Sequence, residues 1–401
     1  MDLIASHHTA RHDAVEHPRR TVLQVLPALN TGGVERSTID IAEALVAAGW
    51  RALVASSGGA MERELRRVGA DHVQLPLSAK NPFVIQANKA RIVALVEAEA
   101  VDLIHARSRA PAWSALGAAR LTGRPFVTTF HGAYNFNNPI KRQYNSVMAR
   151  GDRVIANSNF IADHMARHYH PDPARVRVVP RGIDFDLFDP ERVAGERMIR
   201  LAERWRLPDG APMVLLPGRL TRWKGHRVLV EALALLDRSD VRCLMVGSDQ
   251  GRRSYHRQLE RQIKVRGLDR NVHIVDHCDD MPAAFMLADV VVSASLDPEA
   301  FGRVAVEAQA MGRPTIATDH GGARDTLVDG ETGWLTPPGD AHALAAALRE
   351  AIDIEPAERA ALAERAMARV RAKFSKQAMC AATLAIYEEL LAAGPDAIQA
   401  A

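Results

Sequence analysis

Two glutamates eight residues apart, Glu299 and Glu307, stand among small apolar residues in the stretch DPEAFGRVAVEAQAMGRP, residues 297–314. Carboxylates accept hydrogen bonds from sugar hydroxyls, and the β-branched run ADVVVSAS before them reads as a strand whose exit loop is LDPEAFG. GRVAVEAQAM then reads as a helix, with its first free N–H groups near Phe301, Gly302 and Arg303. Phosphates at that helix end and hydroxyls at both carboxylates would make a clamp for a sugar and a ribose. The plainer reading of the same letters is a buried, backbone-satisfied Glu307 and a capping Glu299.

Cations follow another strand. In LLPGRLTRWKGH, Arg219 lies just beyond the strand and Lys224 at the start of the next helix, with Gly218 and Gly225 on either side leaving the backbone open. An arginine fork and a lysine point charge beside a helix N-terminus bind a diphosphate and offset its charge without a metal, or they are two surface cations. Near the start, NTGGVERS carries Gly32 and Gly33 at a strand-to-helix turn, where the backbone can approach a phosphate or simply turn tightly. These glycines do not spell G-x-G-x-x-G, which disfavours a dinucleotide dehydrogenase.

Elements in a regular rhythm must position these groups. TVLQVLP, RALVASS, DHVQLP, VDLIHA, RPFVTTFHG, DRVIANS and VRVVPRG read as strands, separated by helical segments that include 33–48 and 84–99. After an interruption at GIDFDLFDPERV, a second series runs through APMVLLPGRL, VRCLMVGS, NVHIVDH, ADVVVSAS and RPTIATD. Two parallel, doubly wound α/β sheets follow, and in such sheets ligands gather at the carboxyl ends of the strands. The expected division is a flexible extension at 1–20, a first domain at 21–185, a second at 186–375, and a C-terminal helix at 376–401. That helix has Met379, Leu384, Tyr387 and Leu391 near helical spacing and is free to cross back to the first domain.

Composition sets limits. A chain of 401 residues suits two domains, and 47% apolar with 25% charged residues describes a globular enzyme. No apolar run approaches the roughly 20 residues of a membrane span, and the opening MDLIASHHTARHDAVEHPRR has no apolar core. A cytoplasmic protein is expected. The three cysteines, Cys243, Cys278 and Cys380, form no metal-ligand spacing and carry no chemistry. The net charge of +3 is uneven, because basic residues recur between Arg107 and Arg153 with few acids beside them. That face suits a phosphorylated acceptor or an anionic membrane, the latter allowing a peripheral position at the inner face of the cytoplasmic membrane; a solvated helix face is the alternative. Nucleic acid ranks last, since no nucleic-acid-binding signature accompanies the arginines.

Taken in order, GGVER, FHG, VPRGID, GRLTRWKG, the E-x7-E pair and ATDHGGARDTLVDGETGWLTPPGD resemble the retaining glycosyltransferases of family 4 across nearly the whole chain. The resemblance implies a GT-B fold, two Rossmann-like domains facing each other across a cleft, and a nucleotide-sugar as co-substrate with no metal and no other cofactor. It implies that Glu307 holds the donor ribose, Glu299 the transferred sugar, Arg219 and Lys224 the diphosphate, and the amides at Phe301–Arg303 the sugar or phosphate. Gly33 would approach the diphosphate from the other domain, and His131 would face the reacting sugar with its imidazole or neighbouring carbonyl. The implied reaction retains anomeric configuration, with the departing phosphate taking the acceptor's proton.

The acceptor, a glycan or glycolipid of envelope polysaccharide or lipopolysaccharide synthesis, is expected in the first domain near Arg107, Arg109, Tyr134, Asn135 and Lys141. Two positions depart from the family pattern: Arg181 stands where asparagine is common and is read as affecting hinge closure, and Asp325 stands where glutamate is common. Asp184 and Asp186 imitate a metal-binding DxD, and His164, His168 and His170 imitate a zinc cluster, but both are read as metal-free. A non-catalytic nucleotide-sugar-binding subunit and a GT-B epimerase remain as alternatives.

Overall fold

The computed structural model describes residues 19–30, 32–134 and 138–399, the side chains of 394–399 excepted. Residues 1–18 of the expected extension, and Asn135, lie outside the described residues.

The first sheet contains β1 (Thr21–Val25), β2 (Arg51–Ser56), β3 (Asp71–Gln74), β4 (Leu103–Ala106), β5 (Phe126–Phe130), β6 (Arg153–Ala156) and β7 (Val176–Val178), in the order β3-β2-β1-β4-β5-β6-β7. The second contains β8 (Met213–Pro217), β9 (Arg242–Val246), β10 (Val272–Val275), β11 (Val290–Ser293), β12 (Thr315–Thr318) and β13 (Trp334–Thr336), in the order β10-β9-β8-β11-β12-β13. Every ladder is parallel. The central strands are mostly apolar, as burial on both faces requires, and β1 is buried at all five positions, Thr21 and Gln24 included. The twelve expected strands are present. The thirteenth, β13, was not foreseen, because Trp-Leu-Thr between a glycine and two prolines is too short to show alternation.

In each sheet the strand order reverses once, between β1 and β4 and between β8 and β11. Loops leaving neighbouring strands at such a point diverge and open a crevice. Helix starts are fixed by local chemistry: Asn81 caps the helix Pro82–Ala98 with Pro82 in its first turn, and Ser158 caps Asn159–His168 through Ile161 N–H at 3.1 Å.

Near the join the chain crosses against itself. Ile183 bridges to Ser375, and Lys376 donates to Asp184 at 2.8 Å. The helix Lys376–Gln399 then packs on the first domain: Met379, Cys380, Ile386, Tyr387 and Leu390 join the core around Val22 and Ile41. Tyr387 is fully buried, its hydroxyl 2.6 Å from His105 Nδ1. A hydroxyl placed that deep needs such a partner. Among the described residues no helix is long and apolar enough to cross a membrane.

Candidate active site

Gly33, His131, Arg219, Lys224, Glu299, Phe301, Gly302 and Arg303, drawn from both halves of the chain, line one cavity of about 610 Å³. Asn157, Arg181 and Trp223 line it too. Each group owes its place to a strand end: Gly33 follows β1, His131 β5, Arg181 β7, Arg219 and Lys224 β8, and Glu299 β11.

On the second-domain side, two of the three cations lining the cavity are paired. Lys224 Nζ lies 2.7 Å from Glu299 Oε1, which also accepts hydrogen bonds from Ser295 Oγ at 2.5 Å and Ser293 Oγ at 3.4 Å. Burial pushes the Glu299 carboxyl up, but Lys224 and the two hydroxyls outweigh it and leave it below the usual range. Glu299 is therefore ionised at neutral pH. Gly225 makes the turn that presents Lys224: its φ is +74°, and a β-carbon there would collide with the Ala294 carbonyl. The ammonium also sits 4.6 Å above the Trp223 ring.

Glu307 is 9% exposed and accepts from Arg303 Nε at 2.9 Å and Nη2 at 2.5 Å. It stands behind Arg303 and is not among the residues lining the cavity. A ribose reaching it must share that carboxylate with Arg303. The helix Arg303–Ala310 begins after Gly302, whose φ of +88° turns the chain, and no side chain caps its first N–H groups. Arg219 is exposed and forms no ion pair among the described residues.

The first-domain side differs. His131 Nδ1 accepts from Arg181 Nη2 at 2.9 Å; an arginine only donates, so the imidazole proton lies on Nε2, which is shielded without a partner. Burial, then Arg181 and Arg107, hold the His131 pKa well below its ordinary value, so the ring is neutral at working pH. The His131 carbonyl is engaged by Asn157 Nδ2 at 3.4 Å. The helix Gly33–Ala47 starts at Gly32 without a side-chain cap; Gly33 lines the cavity, and Gly32 faces the Glu35 carboxylate outside it.

The acceptor candidates are more scattered. Arg107 is 3% exposed and donates to Ser37 Oγ at 2.6 Å, beneath the cleft instead of on an open surface. Arg109 lies 4.1 Å over the Tyr134 ring and donates to Asn145 Oδ1 at 2.9 Å; Tyr134 packs on Phe130. Lys141 is exposed on the helix Pro139–Asn145. A separate basic hollow of about 620 Å³ is lined by Arg120, Arg142, Arg150, Arg175, His168 and His170.

Arg181 adds to the sequence reading: its side chain enters the cleft, where its departure from the family pattern had suggested only an effect on hinge closure. Asp325 caps across the domains, accepting from Asn159 Nδ2 at 3.2 Å and Phe160 N–H at 3.3 Å. Asp184 and Asp186 are engaged by Lys376 and Arg192. His164 packs among Phe130, Phe160 and His168, and burial lowers its pKa to about 4. Among the described residues no group of three or more His, Cys, Asp or Glu side chains is placed to hold a metal.

This geometry, nucleotide-sized and polar between two Rossmann-like sheets, coincides with what comparison with known proteins returns. Residues 199–369 match the family model for glycosyl transferases group 1, and residues 31–187 match that for glycosyltransferase family 4. The D-inositol 3-phosphate glycosyltransferase of Arthrobacter sp. (strain FB24) is 33% identical over 308 residues, covering 71% of this chain and 70% of that protein. The protein of the same name from Xylanimonas cellulosilytica is 35% identical over 61% of this chain and 58% of its own length. Among solved structures, a glycosyltransferase from Rickettsia africae ESF-5 superposes with a TM-score of 0.87 at 38% identity, covering 94% of this chain and 99% of that one. HepE from Anabaena, solved with UDP and glucose, gives 0.82 at 25% identity, covering 93% and 100%. The chain is a GT-B enzyme and belongs to glycosyltransferase family 4.

Proposed function

We propose that the protein transfers a sugar, with retention of anomeric configuration, from a nucleotide-sugar to a hydroxyl of a phosphate-bearing glycan or glycolipid acceptor in cell-envelope synthesis. The observation that carries this reading is the convergence on one cavity of the Lys224–Glu299 pair, Arg219, two uncapped helix starts and the neutral His131. The diphosphate lies against Arg219, Lys224 and the helix starts, Glu299 accepts from hydroxyls of the transferred sugar, and His131 Nε2–H donates to that sugar from the opposite wall. The C1–O bond to phosphate breaks with its electron pair leaving on the diphosphate, and the acceptor oxygen bonds to C1 on the same face. Its proton passes to the departing phosphate oxygen. No protein nucleophile and no metal takes part, because cations and amides fixed in place stabilise the leaving group.

An anionic acceptor is supported by the basic hollow around Arg142 and Arg150, and by the phosphorylated substrate in the names of the curated relatives. The same hollow suits a peripheral contact with anionic lipid.

The test is transfer from UDP-, GDP- and ADP-sugars, in EDTA, to inositol phosphate and to envelope glycolipid extracts, with the product's anomeric coupling read by proton NMR. Retention without added metal supports the reading; an inverted product, or a metal requirement, overturns it.

A further inference from the structure

Of the four cations lining the cleft, Lys224 and Arg303 are neutralised by Glu299 and Glu307, whereas Arg219 and Arg181 belong to no ion pair among the described residues. Arg219 is exposed to water, which solvates its charge. Arg181 is half-buried: Nη2 donates to His131 Nδ1, and Nε is shielded with no partner. Its Nη1 lies against the backbone at Gly33, so close that a β-carbon there would collide with it, and the same β-carbon would lie 3.6 Å from Arg303 Cδ. The guanidinium thus stands between the uncapped starts of the helices Gly33–Ala47 and Arg303–Ala310, both of which carry partial positive charge.

Such an arrangement is unfavourable in the free protein. A shielded cation is ordinarily matched by a carboxylate, and here Glu35, the acid whose charge it feels, makes no ion pair with it. Burial, Arg303 and Arg107 lower the Arg181 pKa to about 9, so the positive charge persists at neutral pH despite the cost. Glycine at 33 leaves room for the guanidinium at the helix start. On the cavity side, cation and positive helix end together lack one component, an oxyanion; Glu35, in the first turn of that helix, lies outside the cavity.

We propose that Arg181 binds the donor's diphosphate, holding the phosphate that meets the Gly33 helix start and taking up the charge that grows there as the nucleoside diphosphate leaves. The inference rests on the glycosyltransferase reading of the same cleft and adds to it a cation from the first domain. Arg181 and Arg219 then supply two uncompensated positive charges to the diphosphate from opposite walls. Through Nη2, Arg181 also fixes the tautomer that aims His131 Nε2–H at the sugar.

The test uses the full chain and whichever of UDP, GDP and ADP the wild type binds most tightly, with the matching monophosphate as control. Calorimetric affinities and melting temperatures are measured for wild type, Arg181→Met and Arg181→Lys. Arg181→Met should weaken diphosphate binding roughly tenfold or more while hardly changing monophosphate binding. Arg181→Lys should restore part of the difference, and the free Arg181→Met protein should melt higher because an unpaired cation has gone. Unchanged diphosphate affinity, as expected if Arg181 served only the hinge or an acceptor phosphate, overturns the proposal. So does an equal loss for diphosphate and monophosphate. If Arg181→Met does not fold, Arg181→Gln gives the same readout. A wild type that binds no nucleoside diphosphate defeats the functional reading itself, a result distinct from a binding wild type indifferent to Arg181.

Discussion

The two walls of the cleft are built on different electrostatic plans. On the second-domain wall, Lys224 with Glu299 and Arg303 with Glu307 are neutral pairs at 2.7 and 2.5 Å. On the first-domain wall, His131 Nε2, Asn157 Oδ1 and Arg181 Nε are shielded and have no partner. Pairing fixes side chains before any ligand arrives, whereas an unpaired buried donor costs stability until a ligand satisfies it. If the cleft binds the proposed donor, the difference means that the second domain offers a preformed wall and the first is completed on binding. It also implies that changes on the two walls will separate stability from activity in opposite ways.

The largest effect should come from breaking a pair. Glu299→Gln takes away the negative charge proposed to accept from the sugar and leaves the largely buried Lys224 without its counter-charge, so turnover should fall by about 10²–10³ and the melting temperature should drop as well. Steady-state kinetics beside a thermal melt check both halves.

Asp40, on the first-domain helix Gly33–Ala47, should behave oppositely. Burial raises its pKa from 3.8 to about 6, against the pull of Arg36, Lys376 and Arg303. Between those values the folded state binds more protons than the unfolded one, so this carboxyl costs stability progressively as pH rises through that window, fully above it. Asp40→Asn should therefore stabilise the protein at pH 7–8 by up to about 3 kcal/mol, with the gain vanishing near pH 4. Denaturant melts at the two pH values would show it, and a loss of stability at pH 8 would mean that Asp40 is paired after all.

Arg219→Ala removes an exposed, unpaired cation from the preformed wall. Activity should fall by about tenfold to a hundredfold with an unchanged melting temperature, and an unchanged rate would remove Arg219 from the site. The smallest effect is expected at the contact between the domains: Asp325→Ala deprives Asn159 and Phe160 of their acceptor, costing about 1 kcal/mol, with nucleotide affinity unaltered.

Much of this was legible in the sequence, for physical reasons. Long β-branched strands announce themselves by composition, and groups placed just past a strand, such as Arg219 and Lys224, inherit their position from the rule that ligands gather there. What failed to show was whatever depends on where a side chain points. Arg107 and Arg181 are both arginines following strands, yet one runs under the cleft to Ser37 and the other into it. Spacing does not distinguish them. Glu307 was legible as a carboxylate over the helix start, but not that Arg303, four residues earlier, would cover it. Trp223 gave no signal beyond its neighbour Lys224, whose charge it faces.

The most direct test of the central claim, that this cleft binds a nucleoside diphosphate without metal, is calorimetric titration with UDP, GDP, ADP and NAD in EDTA. Wild type is compared with Glu307→Ala and Arg219→Ala. Micromolar binding of one diphosphate, lost in both variants, is the predicted result. Binding of NAD alone, or of diphosphates only after metal is restored, would contradict the account.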